Sequence, residues 1–327
     1  MDDIQIQKNS LKGKVVVITG ASSGVGRAAA EAFANEGCTI VAAARGSKGI
    51  DDVVQYCRSL NVPAFGISAD MSIAQDVEKI ASTALSINGK IDIWVNNAGV
   101  MASGKFEEIP MEIHEQVLKT NLFGYMHGAY NAVKIFKTQN EGILINNISI
   151  GGFMPAPYSA VYSASKYGIR GMMECLQGEI SNYEHIHICN LYPQLQNSTG
   201  NLHSAKYSGF NMTIPFIASD PRETAAKMVQ LAKEPQKDLF PDLRAAAITN
   251  LYRLFPKTVI NKASAAVRTK MALNTNKQDD SGNVLNISKD PLRVYGNEPS
   301  KNAPKIGLAM LAGIGITAGL YLMSKKL

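Results

Sequence analysis

Cysteine is scarce: four occur in 327 residues, at Cys38, Cys57, Cys175 and Cys189, and no Cys-x-x-Cys pair exists. Isolated thiols read as small buried hydrophobes and suit a reducing compartment. His185 and His187 share one strand face, but no third ligand lies near them in sequence, so no metal site is expected. The N-terminus has no apolar run, so no signal peptide is expected. Basic residues outnumber acidic ones, 33 to 27, yet no nucleic-acid-binding motif accompanies them, and no nucleic-acid partner is expected.

What is present is an α/β pattern. Hydrophobic residues make up 46% of the chain, enough for one large domain with extensions. Short apolar runs read as strands at 14–19, 39–43, 64–68, 91–95 and 186–191. Helical stretches fall between them, at 24–35, from near Ser72, and over 111–138. The alternation predicts a Rossmann-type doubly wound parallel sheet with helices on both faces, plus a helical C-terminal extension. Ligands of such sheets bind at the carboxyl ends of the strands.

The first strand runs directly into Gly20-Ala21-Ser22-Ser23-Gly24-Val25-Gly26. Gly20 allows a tight turn, Gly24 lets the backbone approach a phosphate, and Gly26 lets the following helix pack close to the strand. That helix points its N-terminal amides and positive dipole end at the anion. The second strand ends in Ala44-Arg45, where folds that use NAD place an acidic residue for the ribose hydroxyls. A guanidinium suits a 2′-phosphate, so NADP(H) is favoured over NAD(H); a solvated loop arginine is the alternative.

Tyr162 and Lys166 are four residues apart, so a helix puts both on one face. A cation beside a phenol stabilises the phenolate, which predicts a tyrosine pKa below its reference of about 10. Such a phenol gives a proton to a carbonyl oxygen or takes one from an alcohol. Ser149, on a preceding strand, can hold the same oxygen by a hydrogen bond.

Thr19-Gly20-Ala21-Ser22-Ser23-Gly24-Val25-Gly26, Asn96-Asn97-Ala98-Gly99, Ser149, Tyr162 and Lys166, in this order and spacing, resemble the compact branch of the short-chain dehydrogenase/reductase family over residues 11–239. The resemblance implies an NAD(P)-dependent oxidoreductase interconverting a carbonyl and an alcohol, with a tetrad of Asn121, Ser149, Tyr162 and Lys166. It implies that Asn121 perturbs its helix and holds a water linking Lys166 to solvent. It implies that Lys166 also binds the nicotinamide ribose, that Asp70 and the Met71 amide hold the adenine, and that Asn97, Ala98 and Gly99 lie near the ribose. As residues alone, Asp70 reads equally as a helix N-cap. The implied cofactor set is Gly20, Ser22, Ser23, Gly24, Val25, Gly26, Arg45, Asp70, Met71, Asn97, Ala98, Gly99, Tyr162, Lys166, Pro193, Gln196 and Ser198. Gln194 departs from the glycine that family members usually carry after Pro193, so the local turn is expected to differ.

The family's variable lid corresponds to 195–217, with Tyr207, Phe210, Ile214 and Phe216. With Phe153 and Met154 it suggests a small hydrophobic or lipid-like carbonyl or alcohol substrate. A homodimer or homotetramer, paired through the helices that hold Asn121 and Tyr162, is implied by the resemblance. The rival readings are an NAD-dependent alcohol dehydrogenase of the same family and a non-catalytic NADPH-binding redox sensor or scaffold at a membrane.

The basic excess is uneven: residues 1–241 carry a net charge of −2 and residues 242–305 carry +6. We therefore divide the chain into a catalytic domain (1–241), a basic amphipathic helical extension (242–275), a polar linker or strap (276–305) and an uncharged segment (306–323). Pro256 should kink or divide the extension, which either lies on an anionic membrane surface or packs on the domain with its basic face in water. The segment 306–323 just reaches the length that spans a bilayer and has no polar stripe. It is expected to be a transmembrane anchor touching membrane lipid, with a buried terminal helix as the alternative. The catalytic domain is then membrane-associated and faces the cytoplasm.

Overall fold

The computed structural model describes residues 10–211, 214, 218–275, 278–287 and 292–297. Contacts cluster into two units, Met1–Asn297 and Glu298–Leu327, and the second lies outside the described residues. The expected membrane anchor at 306–323 therefore lies outside them, as does Phe216.

In chain order the strands are β1 (Val15–Thr19), β2 (Thr39–Ala44), β3 (Ala64–Ser68), β4 (Ile93–Asn96), β5 (Ala102–Ser103), β6 (Gly142–Asn147), β7 (Ile186–Leu191), β8 (Ala205–Lys206) and β9 (Asp238–Leu239). Seven form one parallel sheet in the order β3-β2-β1-β4-β6-β7-β9, and β5 pairs with β8. The helices are α1 (Gly24–Asn35), α2 (Ser47–Ser59), α3 (Ala74–Asn88), α4 (Met111–Leu118), α5 (Gly124–Gln139), α6 (Ala160–Glu179), α7 (Thr199–Leu202), α8 (Pro221–Lys233), α9 (Leu243–Leu254) and α10 (Pro256–Leu273).

The β1 sequence explains its central place. Val16 and Ile18 pack into the core under α1, α2 and α8, while Val15 and Val17 pack into the core under α3, α5 and α6. A strand covered on both faces needs an apolar side chain at every position, which produces a continuous β-branched run instead of an alternation. Strand order reverses between β1 and β4, and the crevice at their carboxyl ends opens there.

Two helical expectations change. The stretch 111–138 is interrupted between α4 and α5 by a π-helical turn at Lys119–Phe123. The helix expected from Ser72 starts at Ala74, and Asp70 does not cap it. The Asp70 carboxylate instead accepts from Ser72 N and Ser72 Oγ at 2.9 and 2.7 Å, a local Asx turn that competes with capping.

Pro256 opens α10, where its missing N–H costs nothing, and so separates α10 from α9. Leu243, Leu251, Leu254 and Phe255 stay exposed there. Among the described residues no helix is long and apolar enough to cross a membrane. Beyond α10 the chain returns to the domain. Lys206 and Asp280 exchange two backbone hydrogen bonds of 2.7 and 2.8 Å, and Val284 and Val294 are buried in the cores.

Candidate active site

The cleft at the strand ends has a volume of about 640 Å³ and is bordered by the β1–α1 turn, Arg45, Asp70, the β4 end, Ser149 and α6. The glycines of the β1–α1 turn are structural requirements. Gly20 has φ +66°, and a Cβ there would lie 2.7 Å from Ala98 Cα. A Cβ on Gly26 would overlap the Gly20 carbonyl oxygen and Asn97 Nδ2. The turn is tied to the end of β4 by Thr19 Oγ1, which accepts from Asn97 N at 2.9 Å and Ala98 N at 3.2 Å. Asn97 Nδ2 donates back to the Thr19 carbonyl at 3.0 Å, and Asn147 Nδ2 donates to Asn97 Oδ1 at 2.8 Å.

A polar ladder crosses the sheet behind this rim. Asn96, Asn146, Asn190 and Asp238 are register partners on β4, β6, β7 and β9. Asn96 Nδ2 donates to Asn146 Oδ1 (3.0 Å), Asn146 Nδ2 to Asn190 Oδ1 (3.2 Å) and Asn190 Nδ2 to Asp238 Oδ1 (3.2 Å). All three asparagines are fully buried. Amides at depth persist because each finds a partner.

Ser149 follows β6 with φ +111°, a backbone conformation that costs energy for a residue with a Cβ. Its Oγ accepts from Gly151 N at 3.1 Å and acts on the Tyr162 phenol. Tyr162 and Lys166 lie one turn apart on α6, and Lys166 Nζ sits 5.0 Å from the Tyr125 ring centroid and 5.6 Å from that of Tyr162. Asn121 lies in the π-helical turn, fully buried. Its Oδ1 accepts from Val100 N at 2.8 Å, and its Nδ2 donates to Val100 O at 2.9 Å and Ser165 Oγ at 3.1 Å. Ser165 Oγ donates to the Tyr162 carbonyl at 2.6 Å, so Asn121 is linked through α6 to the tyrosine backbone.

Burial reverses one expectation. It pushes the Tyr162 phenol above its ordinary value, and the Ser149 hydrogen bond only partly offsets this. Burial also pulls Lys166 down to about 7. A lysine that burial leaves only partly protonated at pH 7 is a weaker acidifier than a full ammonium.

The short chain dehydrogenase profile matches residues 14–206. This chain belongs to the short-chain dehydrogenase/reductase family. It is 30% identical over 256 residues to the uncharacterized oxidoreductase YxnA of Bacillus subtilis, covering 77% of this chain and 72% of that one. A short-chain dehydrogenase/reductase from Burkholderia phymatum, solved in complex with NAD, shares the fold at 24% identity, with TM-score 0.67 over 76% of this chain and 96% of that one. An alcohol dehydrogenase from Thermococcus sibiricus, solved with 5-hydroxy-NADP, is 25% identical, with TM-score 0.62 over 70% of this chain and 96% of that one. The chain is an NAD(P)-dependent oxidoreductase.

A dinucleotide fits the residues present. Gly24, with φ +56°, leaves the α1 N-terminus without a side chain of its own, and Ser23, the N-cap residue, makes no side-chain cap hydrogen bond there. The cleft of this dehydrogenase is bordered by Ser22, Val25, Met71, Gly99 and Pro193 as well. Gln196 and Ser198 also border the cleft, and their side chains are at the same time engaged in the fold. Gln196 Nε2 donates to the Gln194 carbonyl at 3.0 Å, and its Oε1 accepts from Thr224 Oγ1 at 2.8 Å. Ser198 caps α7, accepting from Gly200 N at 3.2 Å. Gln194 replaces the usual glycine without strain, because its φ is negative and its amide donates to Ser219 Oγ at 2.8 Å.

Of the expected substrate residues, Met154 borders the cleft. Phe153 does not: it packs on Tyr192 and Phe240 and beneath the Arg170 guanidinium. Tyr207 is buried in the core with Val100, Ala102 and Ile109. Sequence reasoning missed Thr19, Tyr125 and the asparagine ladder; the repeated Asn at three strand ends was the available signal. It also missed Asn283, Ile287 and Leu292, which border the cleft from the C-terminal strap. Among the described residues no cluster of metal-ligating side chains occurs.

Proposed function

We propose that this short-chain dehydrogenase is an NADP(H)-dependent alcohol dehydrogenase/carbonyl reductase acting on hydrophobic, lipid-like substrates while held at a membrane. The observation that carries the reading is the meeting of Ser149, Tyr162 and Lys166 at the cleft that the glycine turn closes, with Asn121 bracing the helix behind them. Gly20, Gly24, Val25 and Gly26 would hold the pyrophosphate, Arg45 the 2′-phosphate, Asp70 and Met71 the adenine, and Asn97, Ala98, Gly99 and Lys166 the ribose side. When bound, the nicotinamide supplies or accepts the hydride.

The protein's own part is proton handling and charge. Tyr162 Oη gives a proton to the carbonyl oxygen in reduction and takes it from the hydroxyl in oxidation. Ser149 Oγ donates a hydrogen bond to that oxygen. Protonated Lys166 stabilises the phenolate left behind, and protonation near pH 7 suits a group that must be recharged each turnover. Asn121 acts by position, through the π-helical turn and Ser165.

The lipid-like substrate class is supported by Met101, Met154, Ile150 and Leu195 at the cleft wall. Membrane attachment is supported by the uncharged segment 306–323 and by the exposed leucines of α9 beside Arg253 and Lys257. Tyr162→Phe should abolish turnover of long-chain carbonyls with NADPH and leave NADPH affinity within about twofold. Full activity in that variant overturns the mechanism, and turnover of small polar ketones alone overturns the substrate class.

A further inference from the structure

Backbone carbonyls accept hydrogen bonds where phosphate oxygens do, and the strap brings several to the cofactor cleft. Gly24 N, in the first turn of α1, donates to the Arg293 carbonyl at 2.9 Å. Thr199 Oγ1 donates to the same oxygen at 3.1 Å, and Arg27 Nη1 donates to the Leu292 carbonyl at 2.6 Å. Arg45 is gripped in the same way. Its Nη1 donates to Val284 O at 3.2 Å, and its Nη2 donates to Asn283 O and, at 3.2 Å, to Asn286 O.

The strap's seat is built at both ends. Val284 is fully buried among Val100, Ala102 and Tyr207. Tyr295 Oη donates to Asp220 Oδ2 at 3.2 Å, with the Arg222 guanidinium 5.9 Å from its ring centroid. Neither anchor belongs to the glycine turn or the tetrad.

We infer that the strap carbonyls compete with the cofactor's phosphates, and that the competition is greater against NADP(H) than against NAD(H). Both cofactors present a pyrophosphate to the α1 N-terminus and must displace the Arg293 carbonyl. Only NADP(H) also presents a 2′-phosphate, which must strip three carbonyls from Arg45. A phosphate is charged and a carbonyl is not, so the exchange runs in the cofactor's favour, at a loss of affinity. The strap thereby sets cofactor selectivity. This rests on Arg45 being the 2′-phosphate ligand.

The test uses the full-length chain and the intrinsic fluorescence of NADPH and NADH as binding readouts. Val284→Asp and, separately, Tyr295→Ala should release the strap. The expected result is that Kd falls at least threefold more for NADPH than for NADH. In the unaltered chain, amide exchange over 280–287 and 292–297 should quicken on saturation with NADPH, and less so with NADH. Protection of those segments by NADPH, or weaker NADPH binding in both variants, overturns the inference by making the strap a lid. Arg45→Ala separates the two readings. If it spares NADPH affinity, the 2′-phosphate role fails and the selectivity with it; if it weakens NADPH while the strap variants change nothing, that role stands and the competition fails.

Discussion

Replacing Lys166 by methionine removes a charge that the fold holds without a carboxylate. The side chain is 5% exposed, and burial lowers its pKa from 10.5 to about 7. The folded value lies below the unfolded one, so the unfolded chain binds more protons between these limits. Wild-type stability should then rise with pH across the window from about 7 to 10.5. At about 1.36 kcal/mol per pH unit, the destabilisation from this one group is on the order of 4 kcal/mol at pH 7 and about 2 kcal/mol at pH 9. Methionine has a similar reach and leaves no polar atom to satisfy. Lys166→Met should therefore be inactive yet more stable, by roughly these amounts at each pH. Urea denaturation of both proteins at pH 7 and pH 9, with equal slopes, measures the difference directly. A variant less stable than wild type at pH 7, or an advantage that does not shrink by pH 9, refutes the reasoning.

Ser149→Ala should lower kcat/KM by about 10²–10³, the usual loss for one oxyanion donor, with little change in cofactor affinity; steady-state kinetics over a range of cofactor concentrations separates the two. Gly26→Val would force a side chain onto the Gly20 carbonyl and Asn97, and should eliminate nicotinamide dinucleotide binding by calorimetry while the far-ultraviolet dichroism stays native. Asn146→Ala should leave Asn96 Nδ2 and Asn190 Oδ1 short of a partner. At about 1–3 kcal/mol for each group, denaturant unfolding should show a loss of about 4 kcal/mol.

The parts of this protein legible in sequence are those where one local rule decides the outcome. The run at β1 is short, β-branched and apolar at every position, which is the pattern of a strand buried on both faces. The glycines after it answer to contacts within a few residues, so their spacing carried the turn. The π-helical interruption at Asn121 was legible only through family resemblance, because nothing in Lys119-Thr120-Asn121-Leu122-Phe123 forbids an ordinary helix; the cause is the link from Asn121 to Val100 and Ser165. Asp70 read equally as an N-cap because capping and Asx turns use the same carboxylate, and Ser72 decides between them. The tyrosine's pKa direction is not legible in sequence, because spacing shows which groups are neighbours and not how dry they are. The strap was read from its polar composition, which hides Val284 and Val294.

Arg45 joins the two halves of the problem. Where the usual carboxylate is missing, the strand end carries a guanidinium whose pKa burial lowers and Asp70 only partly restores. A guanidinium drawn out of water has five N–H donors to satisfy, and an unmet donor at depth costs more than a made bond returns. Asp70 acts on it through charge, while its Oδ1 accepts from Ser72 N and Ser72 Oγ. The acceptors come from the chain itself, more than two hundred residues later, as the carbonyls of Asn283, Val284 and Asn286. A site that had kept an acid after β2 would need no such supply, since the ribose hydroxyls would meet the acid directly. Under the proposed NADP(H) reading, the same arginine serves the 2′-phosphate and needs a surrogate acceptor when none is bound. The strap meets that need with neutral backbone oxygens, which a doubly charged phosphate can outcompete more readily than it could a carboxylate.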